Sequence, residues 1–282
     1  MDSSVSFIGL TRLTRPLNGI IVFISVFLGA FLAKGNIDPV INVILAAIAF
    51  FLLLSAGNAL NDYYDVETDS INKPTRPIPS GQVKRQYALT FAIILFAISL
   101  VPGLLINWMA FSIVCMVCAL LVLYTIKLRQ VLFIGNILIG FLTGLTFIWG
   151  GFAVGATSGA IVPAVFAFLF TVGREIVKDI QDVKGDKAVG LLSLPIKWGQ
   201  RRAMYISFIF LILVILVSPL PYILNIYSLY YLICVVIGVD LILIYCMIIL
   251  LKELSERSAA RAANLMKLGI FIGLGAMYIG SL

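Results

Sequence analysis

Apolar runs of membrane length, each closed by a short polar segment, divide the chain from end to end. A helix crossing a hydrocarbon core of about 30 Å takes roughly 20 mostly apolar residues, because the bilayer offers its backbone no hydrogen-bond partners. Nine such runs can be laid down, at 16–34, 39–61, 87–106, 108–125, 131–151, 159–178, 203–220, 227–251 and 264–281. The pattern predicts an all-α polytopic membrane protein, one domain over residues 1–282 built on nine transmembrane helices. The N-terminal MDSSVSFIGLTRLTRPLNG has no short apolar core followed by a cleavage site, so the first run reads as a retained span. Composition agrees: 62% of residues are hydrophobic and 12% charged, with a mean hydropathy of +1.12, far outside the range of soluble domains.

Basic residues give the orientation, since loops retained in the cytoplasm keep their Lys and Arg. With nine spans and the N-terminus inside, all but Lys34 of the 20 basic residues fall on inner segments. The net charge of +7 then reflects orientation and attraction to phosphate groups, with no nucleic-acid partner implied. This places the protein in the cell membrane as a multi-pass chain, its N-terminus on the cytoplasmic side.

The chain has no His, which excludes Ser-His-Asp and Cys-His catalysis and His-ligated zinc or haem. Cys115 and Cys118 sit inside the apolar run FSIVCMVCALLVLY, where packing is the simpler reading than redox or metal chemistry, and Cys234 and Cys246 are also in apolar helices.

The acids are the informative residues. Eight of 13 fall in two short windows: Asp62, Asp65, Glu67 and Asp69, then Glu175, Asp179, Asp182 and Asp186. Each window follows a membrane-length run and ends at the predicted inner face. Asp62, Asp65 and Asp69 stand at i, i+3 and i+7, and so do Asp179, Asp182 and Asp186. At about 100° per residue each triplet lies within roughly 60° on a helix, forming one acidic stripe. Like charges so placed repel, and more strongly at a low-dielectric boundary. A single such cluster is most simply a solvated helix face. Two with the same spacing on the same side call for a positive partner, and a hard divalent cation with oxygen ligands supplies one. Mg²⁺ commonly takes one or two carboxylates together with water and substrate phosphate oxygens. Lys73, Arg76, Arg174, Lys178, Lys184 and Lys187 are interleaved with the acids, the charge pattern expected around a diphosphate.

These residues carry a resemblance. Asn61-Asp62-Tyr63-Tyr64-Asp65, then Asp69, then Arg76-Pro77-Ile78-Pro79-Ser80-Gly81, is similar to the first signature of the UbiA superfamily of intramembrane prenyltransferases. Asp179-Ile180-Gln181-Asp182, then Asp186, is similar to the second. Within the superfamily the wording most resembles the archaeal lipid-forming synthases that prenylate a geranylgeranylglyceryl phosphate acceptor. The resemblance implies a helical bundle around a central cavity open to the cytoplasmic face and the bilayer, with Mg²⁺ holding an isoprenyl diphosphate donor between the two acidic motifs. Carried over, Asn61, Asp65 and Asp69 form the first metal and diphosphate set and Asp182 and Asp186 the second, with Asp62 and Asp179 alongside. Substrate-binding candidates are Arg15, Asn18, Asn58, Asn61, Lys73, Arg76, Tyr124, Lys127, Arg174, Lys178 and Lys187.

The implied chemistry is ionisation of an allylic diphosphate followed by attack of an acceptor on the allylic cation. Metal and Arg/Lys contacts would strengthen as the C–O bond breaks. For an alcohol acceptor the proton goes to Asp62 or to the departing diphosphate. Tyr63, Tyr64 and Tyr124 are candidates to stabilise the cation, although Tyr at a helix end is more often an interfacial anchor. Arg15 and Asn18 in TRPLNG, and Lys127 in LYTIKLRQ, are candidates for the phosphate of a lipid glyceryl phosphate acceptor; Lys127 and Arg129 in that loop either bind phosphate or simply follow the positive-inside bias. Membrane lipids would form the surroundings of both prenyl tails.

The remaining features are weaker. Gly140–Gly144 and Gly151–Gly155 have GxxxG spacing, which in a bundle means close packing. Asp240 is mid-helix, to be protonated or paired inside the bundle, and LKELSERSAARAAN reads as a surface connection. A transporter would carry its acids at the midplane rather than at one face, and the DGxxAR-type motif of phosphatidyltransferases is absent. Within the superfamily, the alternative is an aromatic-acceptor prenyltransferase of quinone biosynthesis.

Overall fold

The computed structural model describes residues 6–282, apart from the side chain of Gln130. Residues 1–5, the start of the segment read for a leader peptide, lie outside that range. Among the described residues nine helices are long and apolar enough to cross a bilayer. The order is a short α1 (Phe7–Leu13), then α2 (Pro16–Lys34), α3 (Val40–Tyr64), a short α4 (Val66–Asn72), α5 (Arg85–Ile106), α6 (Trp108–Ile126), α7 (Ile134–Ala153) and α8 (Ile161–Ala188). After a short α9 (Leu194–Trp198) come α10 (Gln200–Val217), α11 (Leu220–Ile223), α12 (Leu229–Val235), α13 (Leu241–Lys252) and α14 (Glu256–Gly280).

Two packed cores share the bundle. One gathers Val26, Phe50, Leu53, Val114 and Trp149 from α2, α3, α6 and α7. There the Trp149 indole stacks on Phe50 at 5.0 Å between centroids and its Nε1 donates to the Ala46 carbonyl at 2.9 Å. The other gathers Ile176, Leu211, Tyr231, Leu243 and Met266 from α8, α10, α12, α13 and α14. Helix α7 is flanked by α2 on one side and α8 on the other, and glycines let both approach closely. A Cβ at Gly150 would lie 1.9 Å from the Val26 carbonyl oxygen, and one at Gly144 2.7 Å from that of Ala164. Gly150→Leu is therefore expected to cost at least about 3 kcal/mol through overpacking against backbone that cannot yield. The check is a thermal melt in detergent, where a wild-type melting curve would contradict it.

Three elements differ from the sequence reading. Helix α8 runs to Ala188, ten residues past the predicted end at 178, and α14 starts at Glu256, inside the stretch read as a surface connection. Hydropathy marks where the bilayer ends, whereas backbone hydrogen bonding and capping mark where the helix ends. Ser255 caps α14, its side chain accepting from the Ser258 N–H while the Ser258 side chain accepts from the Ser255 N–H. The third difference is at the first acid motif, where the long helix stops at Tyr64 and α4 follows a break at Asp65.

Of the GxxxG pairs, Gly140 and Gly144 pack against α8 as expected. Gly155 instead lies in the turn after α7, at φ +76°, a left-handed conformation that suits glycine. Asp240 is buried at the end of a π-helical segment, Val236–Asp240, and accepts from Ser218 Oγ at 2.7 Å. Its Oδ1 is buried without a partner among the described residues.

Candidate active site

Both acid motifs open into one cavity of about 330 Å³. The first arrives on the end of α3 and on α4, the second on the last three turns of α8. What brings them together is a residue outside either stripe. Asn72, at the end of α4, donates from Nδ2 to the Asp182 carbonyl at 2.8 Å and accepts from the Gly185 N–H at 2.9 Å. A Cβ at Gly185 would meet the Asn72 amide at 2.5 Å, so glycine is what lets α4 lie against α8.

The second stripe is intact along one helix face, with Asp179, Asp182 and Asp186 all lining the cavity. The first stripe is split by the break at Asp65. Asn61, Asp65 and Asp69 line the cavity, while Asp62 lies outside its lining and is 2% exposed. Asp62 Oδ1 accepts from Arg15 Nη2 at 2.6 Å and from Arg76 Nη1 at 3.2 Å. Arg76 Nη1 also donates to Asp69 Oδ2 at 2.5 Å. Four charges thus form a balanced network, with Arg15, Arg76 and Asp69 lining the cavity and Asp62 outside its lining, which fastens the start of α2 to the first motif. Asn58 adds to it by donating to the Thr14 carbonyl at 3.2 Å. Arg15 reaches Asp62 from a left-handed backbone, φ 51°, a conformation costing a non-glycine residue about 1–3 kcal/mol.

Asp62 was a candidate proton acceptor. It is engaged by two guanidiniums and lies outside the cavity lining. Burial raises the Asp69 carboxyl above its ordinary value even with Arg76 beside it. Burial lowers the Arg76 guanidinium, but Asp62 and Asp69 outweigh this and hold it above its ordinary value.

Other acids meet cations from different elements. Lys73 Nζ donates to Asp182 Oδ2 at 2.5 Å, and Arg129, from the turn after α6, pairs with Asp65. Asn61 Oδ1 accepts from Thr125 Oγ1 at 2.5 Å, which fixes the amide's orientation. Asp182 Oδ1 is buried and has no protein partner. Asp179 Oδ2 accepts from Asn136 Nδ2 at 2.8 Å and, among the described residues, Asp179 and Asp186 form no ion pair.

The expected substrate-binding residues separate on the same basis. Arg15, Asn18, Asn58, Asn61, Lys73, Arg76, Tyr124, Arg174 and Lys178 line the cavity. Lys127 and Lys187 are exposed and outside its lining, a correction with a simple cause. In LYTIKLRQ the chain leaves α6 and tightens into a single 3₁₀ turn, Leu128–Gln130, and Arg129 is the basic residue that meets Asp65. Lys187 lies one residue beyond Asp186, off the face that carries the acids. Of the tyrosines only Tyr124 lines the cavity. Tyr63 instead lies under the Arg85 guanidinium, 4.6 Å from its ring centroid, and edge-on to Tyr64.

Sequence reasoning offered Arg129 only as a phosphate-binding candidate beside Lys127, and missed Asn72, Thr125, Asn136 and Lys267 as site residues. Asn136 and Lys267 carried the one signal available, a polar side chain within an apolar run. The cavity's deeper wall is apolar, including Ile21, Val22, Leu54, Ile139 and Ile270, which suits a hydrocarbon tail.

The chain is similar to known proteins in sequence and in fold. The pattern of the UbiA prenyltransferase family matches residues 22–271. A digeranylgeranylglyceryl phosphate synthase of Methanosphaera stadtmanae is 36% identical over 272 residues, 96% of this chain and 98% of that protein. A solved structure giving insight into digeranylgeranylglyceryl phosphate synthase in membranes superposes with a TM-score of 0.74 at 37% identity, covering 97% of both chains. A UbiA homolog from Archaeoglobus fulgidus, solved bound to GPP and Mg²⁺, shares the fold with a TM-score of 0.65 at 16% identity, over 96% of this chain and 99% of that one. With its family pattern matched across nearly all nine spans, this chain belongs to the UbiA prenyltransferase family.

Proposed function

We propose that the protein transfers a geranylgeranyl group from geranylgeranyl diphosphate to geranylgeranylglyceryl phosphate, forming an ether bond in membrane lipid synthesis. The observation that carries this is the 36% identity, over nearly the full length, to a digeranylgeranylglyceryl phosphate synthase, joined to a cavity whose lining holds more cations than one diphosphate engages. The active site would face the cytoplasm, the side to which the positive-inside bias assigns Lys73, Arg76 and Lys184.

The donor set fits Mg²⁺. Asn61, Asp65, Asp69, Asp182 and Asp186 offer only hard oxygens, all line one cavity, and Asp182 Oδ1 is a buried acceptor with no protein partner. Among the described residues no three acids already stand as one metal cluster, because Lys73, Arg76 and Arg129 hold carboxylates of both motifs. Bound there, Mg²⁺ would supply neutralising charge to the diphosphate as it leaves. Lys73, Arg76 and Arg129 would bind its outer oxygens by charge-assisted hydrogen bonds. The allylic C–O bond breaks with its electron pair going to diphosphate, the acceptor hydroxyl oxygen bonds to the allylic carbon, and the hydroxyl proton leaves. Tyr124, half-buried in the lining, would present its ring to the cation.

Asp179 would take that proton. It lines the cavity, is held by Asn136, and has no cationic partner among the described residues, unlike Asp62. Asp179→Asn is expected to lower kcat about 100-fold with the donor KM little changed, read in steady-state kinetics. A kcat within about two-fold of wild type would assign proton removal to the departing diphosphate instead.

Radiolabelled geranylgeranyl diphosphate, offered with geranylgeranylglyceryl phosphate or with a hydroxybenzoate, tests the function. Label in the lipid phosphate is expected. Label in the aromatic compound alone would move the protein to the quinone-forming branch.

A further inference from the structure

The cavity is charged at two levels, and the acid motifs account for one. Glu175 precedes Asp182 by seven residues on α8, which places it about 10 Å farther along the helix from the motif end. At this level Glu175 accepts from Lys178 Nζ at 2.9 and 2.7 Å and from Arg174 Nη1 at 3.4 Å. Arg174 Nε donates to the Ala263 carbonyl of α14 at 3.2 Å, one helical turn before Lys267. Lys267 lines the same cavity and forms no ion pair among the described residues. Ile270, three residues on, belongs to the cavity's apolar wall. Two cations therefore hold one carboxylate inside a membrane-spanning bundle, and a third, Lys267, lines the same cavity with no carboxylate partner among the described residues. A surplus of positive charge at that depth is costly unless an anion joins it.

We infer that Arg174, Lys178 and Lys267 form a second anion subsite that binds the phosphate of the acceptor, with Lys267 as its specificity-determining contact. The inference rests on the functional reading above and names the residues that distinguish this acceptor from a phosphate-free one. Spacing supports it, since a leaving diphosphate, a breaking C–O bond and a three-carbon glycerol together fill an interval of about 10 Å between the two levels. Asp179 lies between them in sequence and on the same face of α8, four residues after Glu175 and three before Asp182. An acceptor hydroxyl near its own phosphate would fall beside it. Of the residues expected from sequence to serve this purpose, Arg15 is held by Asp62, Lys127 is outside the cavity lining, and Asn18, which lines it, carries no charge.

The test compares Lys267→Gln, Lys267→Arg and wild type in detergent, using geranylgeranylglyceryl phosphate and the phosphate-free geranylgeranylglycerol as acceptors. Loss of one charge-assisted contact is expected to raise the phosphate acceptor KM about 10- to 100-fold in Lys267→Gln. The preference for phosphate over phosphate-free acceptor should fall by a similar factor, the donor KM should shift far less, and Lys267→Arg should restore most of the loss. A donor KM that rises as much as the acceptor KM would overturn the assignment by placing the trio on the diphosphate. An unchanged acceptor KM would overturn it as well. The wild-type arm tests the functional reading separately: failure to prenylate the glyceryl phosphate at all defeats that reading, whatever the variants do.

Discussion

Removing divalent cations from the purified protein should lower prenyl transfer by about 1000-fold or more, with full recovery on adding Mg²⁺. The expectation follows from how the cavity balances its charge. Asp65, Asp69 and Asp182 are each held by a basic side chain, and those same cations are the groups a diphosphate would attract. When they turn to phosphate oxygens the carboxylates lose their partners, and five oxygen-bearing side chains from two motifs then face a polyanion. That arrangement is strongly repulsive without a hard cation between them. The effect of metal on a leaving diphosphate is worth several kcal/mol, and about 1.4 kcal/mol corresponds to each factor of ten. The measurement is turnover in excess EDTA with metal content verified, alongside donor binding under the same conditions. Full turnover by metal-free protein would end the proposed role of both motifs.

The second large effect is expected from Asp65→Asn and Asp182→Asn, each lowering kcat by about 100-fold or more while the protein still inserts and folds. Both side chains are about one-fifth exposed, at 21%, so an isosteric amide removes charge with little change in packing. Each substitution removes one negative charge from the group proposed to hold the donor, where preorganised electrostatics act on the breaking bond. Asp62→Asn makes an informative contrast. It strips a buried partner from Arg15 and Arg76, so the prediction there is loss of melting temperature together with activity, since an uncompensated buried charge is destabilising. Normal turnover in Asp65→Asn or Asp182→Asn would remove that residue from the proposed site.

The nine spans, the two acidic motifs and the family were legible in the sequence, because each depends on local composition and spacing. A bilayer demands a fixed length of apolar helix, and carboxylates three and four residues apart share a face whatever surrounds them. Helix ends were less legible. The polar turns of α8 and α14 stay helical through internal hydrogen bonds and the Ser255 cap, which hydropathy does not register.

Partnership was decided only by the tertiary structure. The same i, i+3, i+7 spacing describes both acid triplets. Yet a break at Asp65 leaves Asp62 in a buried network with Arg15 and Arg76, while Asp179 keeps its place in the cavity beside Asn136. Between two basic residues in one short loop, the turn after α6 assigned Arg129 to Asp65 and left Lys127 exposed. Lys267, 89 residues after Lys178 in the chain, shares a cavity with it because α14 packs on α8. Spacing specifies which residues share a helix face, but the charge a side chain meets depends on elements distant in sequence, and in a low-dielectric bundle that neighbour determines what the residue can do.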